Sequence, residues 1–484
     1  MVFLGRTKRI HFVGIGGIGM SGIAELLLNL GFRVSGSDVK LSDTTDRLEA
    51  LGARVTRGHH GGLVEESDVV VYSSAVDESN PEIAAAKALA IPVIPRAEML
   101  GELMRLKFSV TVAGSHGKTS TTSLVASVLA HGGLDPTVIV GGKLKSFHSN
   151  ARLGGSRYLV AEADESDGSF VRLPSSIGII TNIDREHLDH YGDLEAIKSG
   201  FVEYASRVPF YGAVIMCADD ENVRSIMPRV ERRKIAYSLA GGDRPGDSAS
   251  VSIHAGADLR GRIVAREGQG TRFSVEYGDE PFGEITLAIP GTHYVSNALA
   301  ACAVGIEMEL PFYAIKKGLE EFEGVGRRFE VKGTKSGVIV VDDYGHHPTE
   351  IAATVKAALD NYDRRLYVMF QPHRYSRTRS MTEEFGTCFD GAETVFVTDI
   401  YPAGEKPIPG VTAQTIIERV KAVGKVAVRY TPSFDDMTDQ VASIVRDGDM
   451  VITMGAGDIY KAGELLLDKL SSNDAHKSRK RRMK

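Results

Sequence analysis

Short β-branched runs alternate with amphipathic stretches along almost the whole chain, the pattern of an α/β protein built on mostly parallel sheets. Near the N terminus, His11–Val13, Arg33–Val34 and Asp68–Tyr72 read as strands, with a helix over Ser21–Leu30 between the first two. A second series follows, with strands at Phe108–Val112, Tyr158–Ala161, Ile177–Thr181 and Ala213–Met216 and a helix over Lys118–Ala130. From Val251 to Ile289 the rhythm changes to alternating strands broken by Gly and Asp turns, which predicts an antiparallel insert or sheet edge. The parallel rhythm returns after Gly326. Strands are expected at Gly337–Val341, Leu366–Phe370, Thr394–Val397, Val426–Arg429 and Met450–Thr453, with helices over Thr349–Ala358 and Ala413–Val423.

The three series fit a chain of 484 residues, enough for about three domains. The expected division is 1–106, 107–325 and 326–470, followed by a basic tail over 471–484 that reads as solvated and mobile. With 43% hydrophobic and 25% charged residues, the chain can bury several cores, which excludes a disordered or fibrous protein. The net charge is −6, and six basic residues are confined to Lys477–Lys484, so the rest is more acidic still. No nucleic-acid partner is expected from such a body. Cys217, Cys302 and Cys388 lie far apart and form no metal-binding spacing. No run of 18 apolar residues suggests membrane insertion, and the first residues are too soon charged for a signal peptide. A cytoplasmic protein is the expectation.

Two glycine motifs carry chemistry. Gly14-Ile15-Gly16-Gly17-Ile18-Gly19 fits G-x-G-x-x-G after a strand and before a helix, and Asp38 ends the next strand near the spacing of a ribose-binding carboxylate. Such a loop lets backbone N–H groups approach a diphosphate, but it does not distinguish NAD from another nucleoside diphosphate. Gly114-Ser115-His116-Gly117-Lys118-Thr119-Ser120 also joins a strand to a helix. It lacks the first glycine of a full phosphate loop, because Val112 stands there. The remaining residues still offer amides for phosphates, the Lys118 cation for β/γ oxygens and the Thr119 hydroxyl for Mg²⁺. Hydride transfer has no use for this second loop. Together the loops point to ATP and a separate nucleotide-bearing substrate.

Acidic clusters follow the next strands. Glu162, Asp164, Glu165 and Asp167 crowd one turn, where their mutual repulsion calls for a cation; a solvated loop is the alternative. In the run Asn182–His190, His187 or His190 is a candidate ligand for a second divalent ion.

The ordered motifs HFVGIGGIGMSGIAE, AGSHGKTSTTSL, AEADESDGSF, TNIDREHLDHYGD, GVGRRFE, DDYGHHPTEI and FQPHRYSRT resemble the Mur ligases over about His11–Leu470. The resemblance implies three domains: an N-terminal Rossmann-like domain for a UDP substrate, a central P-loop-type ATPase domain with a mostly parallel sheet, and a C-terminal Rossmann-like domain. It implies that Gly17, Ile18, Gly19, Met20 and Ser21 hold the UDP diphosphate, with Asp38, Ser73 and Ser74 nearby. By the same resemblance, Gly114–Ser120 and Asn297 bind ATP, Thr119, Glu162 and His187 serve Mg²⁺, and Arg327 joins the nucleotide contacts. Lys118, His347, Arg374 and Arg377 are the expected catalytic set. The implied activity is ATP-dependent joining of L-alanine to the lactyl carboxylate of UDP-N-acetylmuramate through an acyl phosphate, in peptidoglycan precursor synthesis, by a monomer or homodimer.

Two departures stand out. Where the family reads H-N-x-x-N, this chain has His293-Tyr294-Val295-Ser296-Asn297. Phe201 occupies the place of the carbamylated lysine of other branches, and Lys198 reads as a helix-surface residue. A murein-tripeptide recycling ligase, a folylpolyglutamate synthetase and a non-catalytic nucleotide-binding regulator are the other readings. The first glycine loop argues against the first, the N-terminal UDP domain against the second, and the acid clusters with paired arginines against the third. Flexure is expected near Leu106–Phe108 and in the Gly324–Gly326 run.

Overall fold

A computed structural model describes residues 4–73, 75–105, 107–144, 149–240, 256–267 and 270–482. Ser74, Leu106 and the start of the expected antiparallel stretch at 251–255 lie outside the described residues.

Among the described residues, three sheets organise the chain. The first contains β1 (Arg9–Val13), β2 (Arg33–Asp38), β3 (Arg54–Arg57), β4 (Val69–Tyr72) and β5 (Val93–Pro95), in the order β3-β2-β1-β4-β5 and parallel throughout. Strand order reverses beside β1, and the first glycine loop leaves from its carboxyl end, where open α/β sheets bind ligands.

The second sheet has ten strands: β6 (Phe108–Ala113), β7 (Thr137–Leu144), β8 (Ser149–Arg152), β9 (Tyr158–Glu162), β10 (Ile177–Ile180), β11 (Ala213–Cys217), β12 (Lys234–Ala240), β13 (Leu259–Glu267), β14 (Gly270–Tyr277) and β15 (Glu280–Leu287). Their order is β15-β14-β13-β12-β11-β10-β6-β9-β7-β8. β6 lies between β9 and β10, parallel to both. That placement brings the loops following β9 and β10 to either side of the phosphate loop that follows β6. The alternating stretch forms a sheet edge: β13 joins β12 in parallel, and β14 and β15 meet at the two-residue Gly278–Asp279 turn of a hairpin.

The third sheet contains β16 (Glu330–Lys335), β17 (Val338–Asp343), β18 (Leu366–Phe370), β19 (Thr394–Val397), β20 (Ala427–Tyr430) and β21 (Met450–Met454), in the order β16-β17-β21-β18-β19-β20. β21 is buried at every position, as a central parallel strand covered on both faces must be. β16 reads Glu-Val-Lys-Gly-Thr-Lys and pairs antiparallel with β17 across an irregularity between Val331 and Gly333. Its polar sequence has no strand alternation, which is why only its partner was legible.

By contacts the chain divides into two compact units, Met1–Ile263 with Phe273–Thr286 and Val295–Glu323, and Val264–Arg272 with Leu287–Tyr294 and Gly324–Lys484. The first two sheets share one apolar core: Ile10, Phe12, Leu103 and Met104 belong to the same buried cluster as Leu159, Phe170 and Phe201. The flexure expected near Leu106–Phe108 therefore does not separate two units. The helix just before it, Arg96–Met104, is buried in this common core. The backbone of the last helix runs Tyr460–Arg482, so the stretch expected to be a loose tail continues a helix.

Candidate functional site

The first glycine loop is held from below. The Ser37 carbonyl accepts the Gly14 and Ile15 N–H groups at 2.8 and 3.0 Å, and Asp38 Oδ2 accepts the Gly16 N–H at 2.9 Å. Gly14 has φ of 82°, open to glycine at little cost. Asp38, expected beside a ribose, thus orients the loop itself. The helix Ile18–Asn29 begins after Gly17, and Ser21 is buried in its first turn. Gly17, Gly19, Met20 and Ser73 line a groove of about 280 Å³ together with Arg96, Glu162 and Asp164. Arg96 Nη2 lies 3.4 Å from Asp164 Oδ2, joining the first helix after β5 to the acidic run after β9. A lone arginine at a helix start belongs to no motif, so no sequence signal points to it. A larger hollow of about 850 Å³ on the first sheet, lined by Arg9, Arg33 and Arg54, borders neither glycine loop. Size alone does not locate the chemistry.

The second loop is tied to the segment after β10. Asn182 Oδ1 accepts the His116 N–H at 2.8 Å, Thr181 Oγ1 donates to the His116 carbonyl at 2.8 Å, and Ser115 Oγ accepts the Asp184 N–H at 2.8 Å. His116 Nε2 lies 3.0 Å from Asp184 Oδ2. Gly114 has φ of 143°, and a Cβ there would run into Thr181 Oγ1. Gly117 has φ of 79°, and its Cβ would meet Asn297 Oδ1 at 3.0 Å, so Asn297 lies directly beside the loop. Val112, at the place of the missing glycine, is buried within β6 opposite Glu162 of β9. Here the strand runs longer before the turn begins.

Lys118 folds back over its own loop. Its Nζ donates to the Gly114 carbonyl at 2.7 Å and the Ser115 carbonyl at 3.2 Å, and lies 2.9 Å from the Glu165 carboxylate. Burial works against the Lys118 charge, but the Glu165 and Asp164 carboxylates outweigh it and hold the ammonium above its usual range. Burial pushes the Glu165 carboxyl up to about 7 despite the lysine. Thr119 and Ser120 follow in the first turn of the helix Lys118–His131.

Glu165, Glu186 and His187 place ligand atoms within 4.8 Å of one another. His187 Nε2 is 3.8 Å from Glu165 and 3.9 Å from Glu186, and its backbone takes a left-handed φ of 54°. Glu162 and His187 are the residues expected to support two Mg²⁺ ions; the geometry gathers Glu165 and Glu186 around His187, while Glu162 lines the groove. The donor set suits a hard divalent cation. Glu165 is a buried carboxylate whose ionisation is opposed by burial, and two carboxylates converge there. His190 stands apart from this group, against Gly168 and Tyr191. Lys198 pairs with Glu195 on the helix Leu194–Ser206, whose Phe201 packs against Phe170.

In the second unit, Arg327 is engaged locally. Its Nε donates to Asp342 at 2.9 Å, its Nη1 and Nη2 donate to the Gly457 and Gly455 carbonyls at 3.0 and 2.7 Å, and it lies against the Tyr344 and Tyr460 rings. Expected among the nucleotide contacts, it also braces the Gly455–Gly457 turn. Its neighbour Arg328 pairs with Glu350 at 3.5 Å. His347 begins the helix Pro348–Asn361, its Nδ1 accepting the Thr349 N–H at 3.3 Å. Arg374 has φ of 72° and donates its backbone N–H to Tyr401 at 2.9 Å, while Arg377 Nη1 donates to the His373 carbonyl at 3.2 Å. Tyr294, where the sequence departs from the family pattern, is buried, and His293 beside it is half-buried. Burial and the nearby Arg328 charge push His293 down to about 4.

Three family models match in succession: the Mur ligase family catalytic domain over residues 9–108, the Mur ligase middle domain over 112–305, and the Mur ligase glutamate ligase domain over 327–457. This chain belongs to the Mur ligase family. Among relatives of this Mur ligase, the UDP-N-acetylmuramate–L-alanine ligase of Geotalea daltonii is 52% identical over 96% of this chain and 99% of its own length. The crystal structure of a UDP-N-acetylmuramate-alanine ligase from Thermotoga maritima superposes with a TM-score of 0.78 at 28% identity, covering 97% of this chain and all of that one. A murein peptide ligase from Psychrobacter arcticus shares the fold, with a TM-score of 0.68 at 23% identity over 96% of this chain and 99% of that one.

Within the first unit of this Mur ligase, the geometry brings both glycine loops, Asn297 and the acidic segments around one end of two adjoining sheets. Among the described residues, no helix is long and apolar enough to cross a membrane.

Proposed function

We propose that this Mur ligase joins L-alanine to the lactyl carboxylate of UDP-N-acetylmuramate in the cytoplasm, consuming ATP. The observation that carries the reading is the shared groove: the first glycine loop and the acidic run beside the phosphate loop line one hollow. A nucleotide-sugar diphosphate on Gly17–Ser21 would present its far end toward Lys118 and the carboxylates. The relatives named for this activity match along nearly the whole chain, which supports the same substrates here. Residues 1–106, 107–325 and 326–470 are assigned to UDP-sugar binding, ATP binding and the closing domain.

A carboxylate is a poor acyl donor. ATP supplies the phosphoryl group that turns it into an acyl phosphate, which the alanine amine attacks with release of inorganic phosphate. Lys118 neutralises charge on the moving phosphoryl group, and the amides of Gly114–Ser120 orient it, so catalysis is mostly positioning and electrostatics. Thr119, Glu162 and the Glu165–Glu186–His187 group are the residues that would hold Mg²⁺, which when bound would supply further charge neutralisation. Asn297 positions the nucleotide beside Gly117. Arg374 and Arg377 offer guanidinium forks suited to carboxylate and phosphate, and His347 is assigned to the incoming amine.

The test is phosphate release with ATP, Mg²⁺ and UDP-N-acetylmuramate, with and without L-alanine. Release that needs both substrates, with a new amide by mass, is expected. Turnover only with L-Ala-γ-D-Glu-diaminopimelate would move the protein to the tripeptide-recycling reaction, and silence with both would overturn the reading.

A further inference from the structure

Beneath the first glycine loop lies a buried polar hub that no motif announces. Glu82, on the helix Pro81–Ala88, is fully buried. Its Oε2 accepts His11 Nε2–H at 3.0 Å from β1 and the Ser37 hydroxyl at 2.7 Å from β2. Its Oε1 accepts the His60 backbone N–H at 3.1 Å and lies 3.4 Å from His59 Nδ1. One carboxylate therefore joins two strands and the loop after β3. Burial would push this carboxyl up, but the donors from His11 and Ser37 outweigh it and hold it below the ordinary range. Both oxygens are met, the condition under which a buried charge is tolerated.

The proton arithmetic of this hub fixes a tautomer. Ser37 has one hydroxyl proton, and it goes to Glu82. Its oxygen also lies 2.8 Å from His59 Nδ1. With its proton spent, Ser37 can only accept there, so Nδ1 of His59 carries the hydrogen. In the neutral ring Nε2 is then left as an acceptor. The same Ser37 holds Gly14 and Ile15 through its carbonyl, and the next residue, Asp38, holds Gly16. The ring and the glycine loop are thus set by one residue.

We infer that Glu82 and Ser37 are positioning residues for the nucleotide-sugar site, fixing the glycine loop from below and holding His59 in its Nδ1–H form as part of the same hub. This rests on the reading of the first loop as the UDP-sugar site.

The experiment measures calorimetric binding of UDP-N-acetylmuramate, steady-state kinetics and ring ¹⁵N spectra for the full chain and for Glu82→Gln and Ser37→Ala. Wild type should bind UDP-N-acetylmuramate; failure there would sink the functional reading and not the hub alone. Losing a buried charged acceptor predicts roughly tenfold or greater weakening of UDP-sugar binding in Glu82→Gln, seen as a higher KM, with the KM for ATP little changed. Ser37→Ala removes only a hydroxyl and keeps the proposal testable if the glutamate variant fails to fold. The His59 ring should show Nδ1–H in wild type and lose that preference in Ser37→Ala. Folded variants with unaltered UDP-sugar affinity, or an Nε2–H ring in wild type, would overturn the inference.

Discussion

Lys118 and Glu165 occupy one buried space, and each charge is tolerable there only because of its surroundings. Removing the cation by Lys118→Ala should slow turnover roughly a thousandfold or more, because both the phosphoryl contact and the partner of a buried carboxylate are lost. Phosphate release at saturating substrates checks this; a near-wild-type rate would remove the loop from catalysis. Glu165 adds a pH signature. Its carboxyl holds a proton up to about 7 in the folded chain, against an ordinary value of 4.5. The folded state then binds more protons than the unfolded one between those values, so this group's contribution to stability is full below pH 4.5 and falls as pH rises toward 7. Glu165→Gln should flatten that part of the Tm–pH profile. Mg²⁺ should raise Tm more at pH 8 than at pH 6 in wild type, because the ion competes with that proton. An equal Mg²⁺ effect at both pH values would contradict the ligand assignment.

At the scale of elements, the loops rest on glycines for two distinct reasons. Gly114 needs both its φ of 143° and the space taken by Thr181, whereas Gly31, at 87°, faces open space. Gly114→Ala should cost about 2–3 kcal/mol by backbone strain and steric clash, and Gly31→Ala only about 1 kcal/mol by strain. Denaturant midpoints will separate the two; equal losses would contradict the packing argument. The same scale explains what the sequence revealed. Buried parallel strands such as β10 and β21 are continuous apolar runs, and phosphate loops need glycines at fixed spacing, so both were legible. Polar edge strand β16 has no such pattern. Arg96, Glu82 and Glu186 act through partners far away in sequence, and only the strand order brings those partners near. Glu162 and Glu165 stand three residues apart in one acidic run, and spacing alone could not choose which meets His187.

Across the whole molecule, the first two sheets are joined by a common core rather than linked as separate bodies. Leu103, fully buried on the helix Arg96–Met104, belongs to that core. Leu103→Ala should destabilise the chain by about 2–5 kcal/mol. Hydrogen exchange should show β1–β5 and β6–β12 losing protection together in this variant, with β17–β21 unchanged. Independent loss of the first sheet alone would contradict the shared core.

The central claim is that a carboxylate is activated by phosphorylation and then captured by an amine. The most direct measurement uses UDP-N-acetylmuramate labelled with ¹⁸O in the lactyl carboxylate, incubated with ATP, Mg²⁺ and L-alanine. The account predicts one ¹⁸O in each inorganic phosphate released, together with an amide product that has lost one label. Unlabelled phosphate accompanying amide formation would contradict activation through an acyl phosphate.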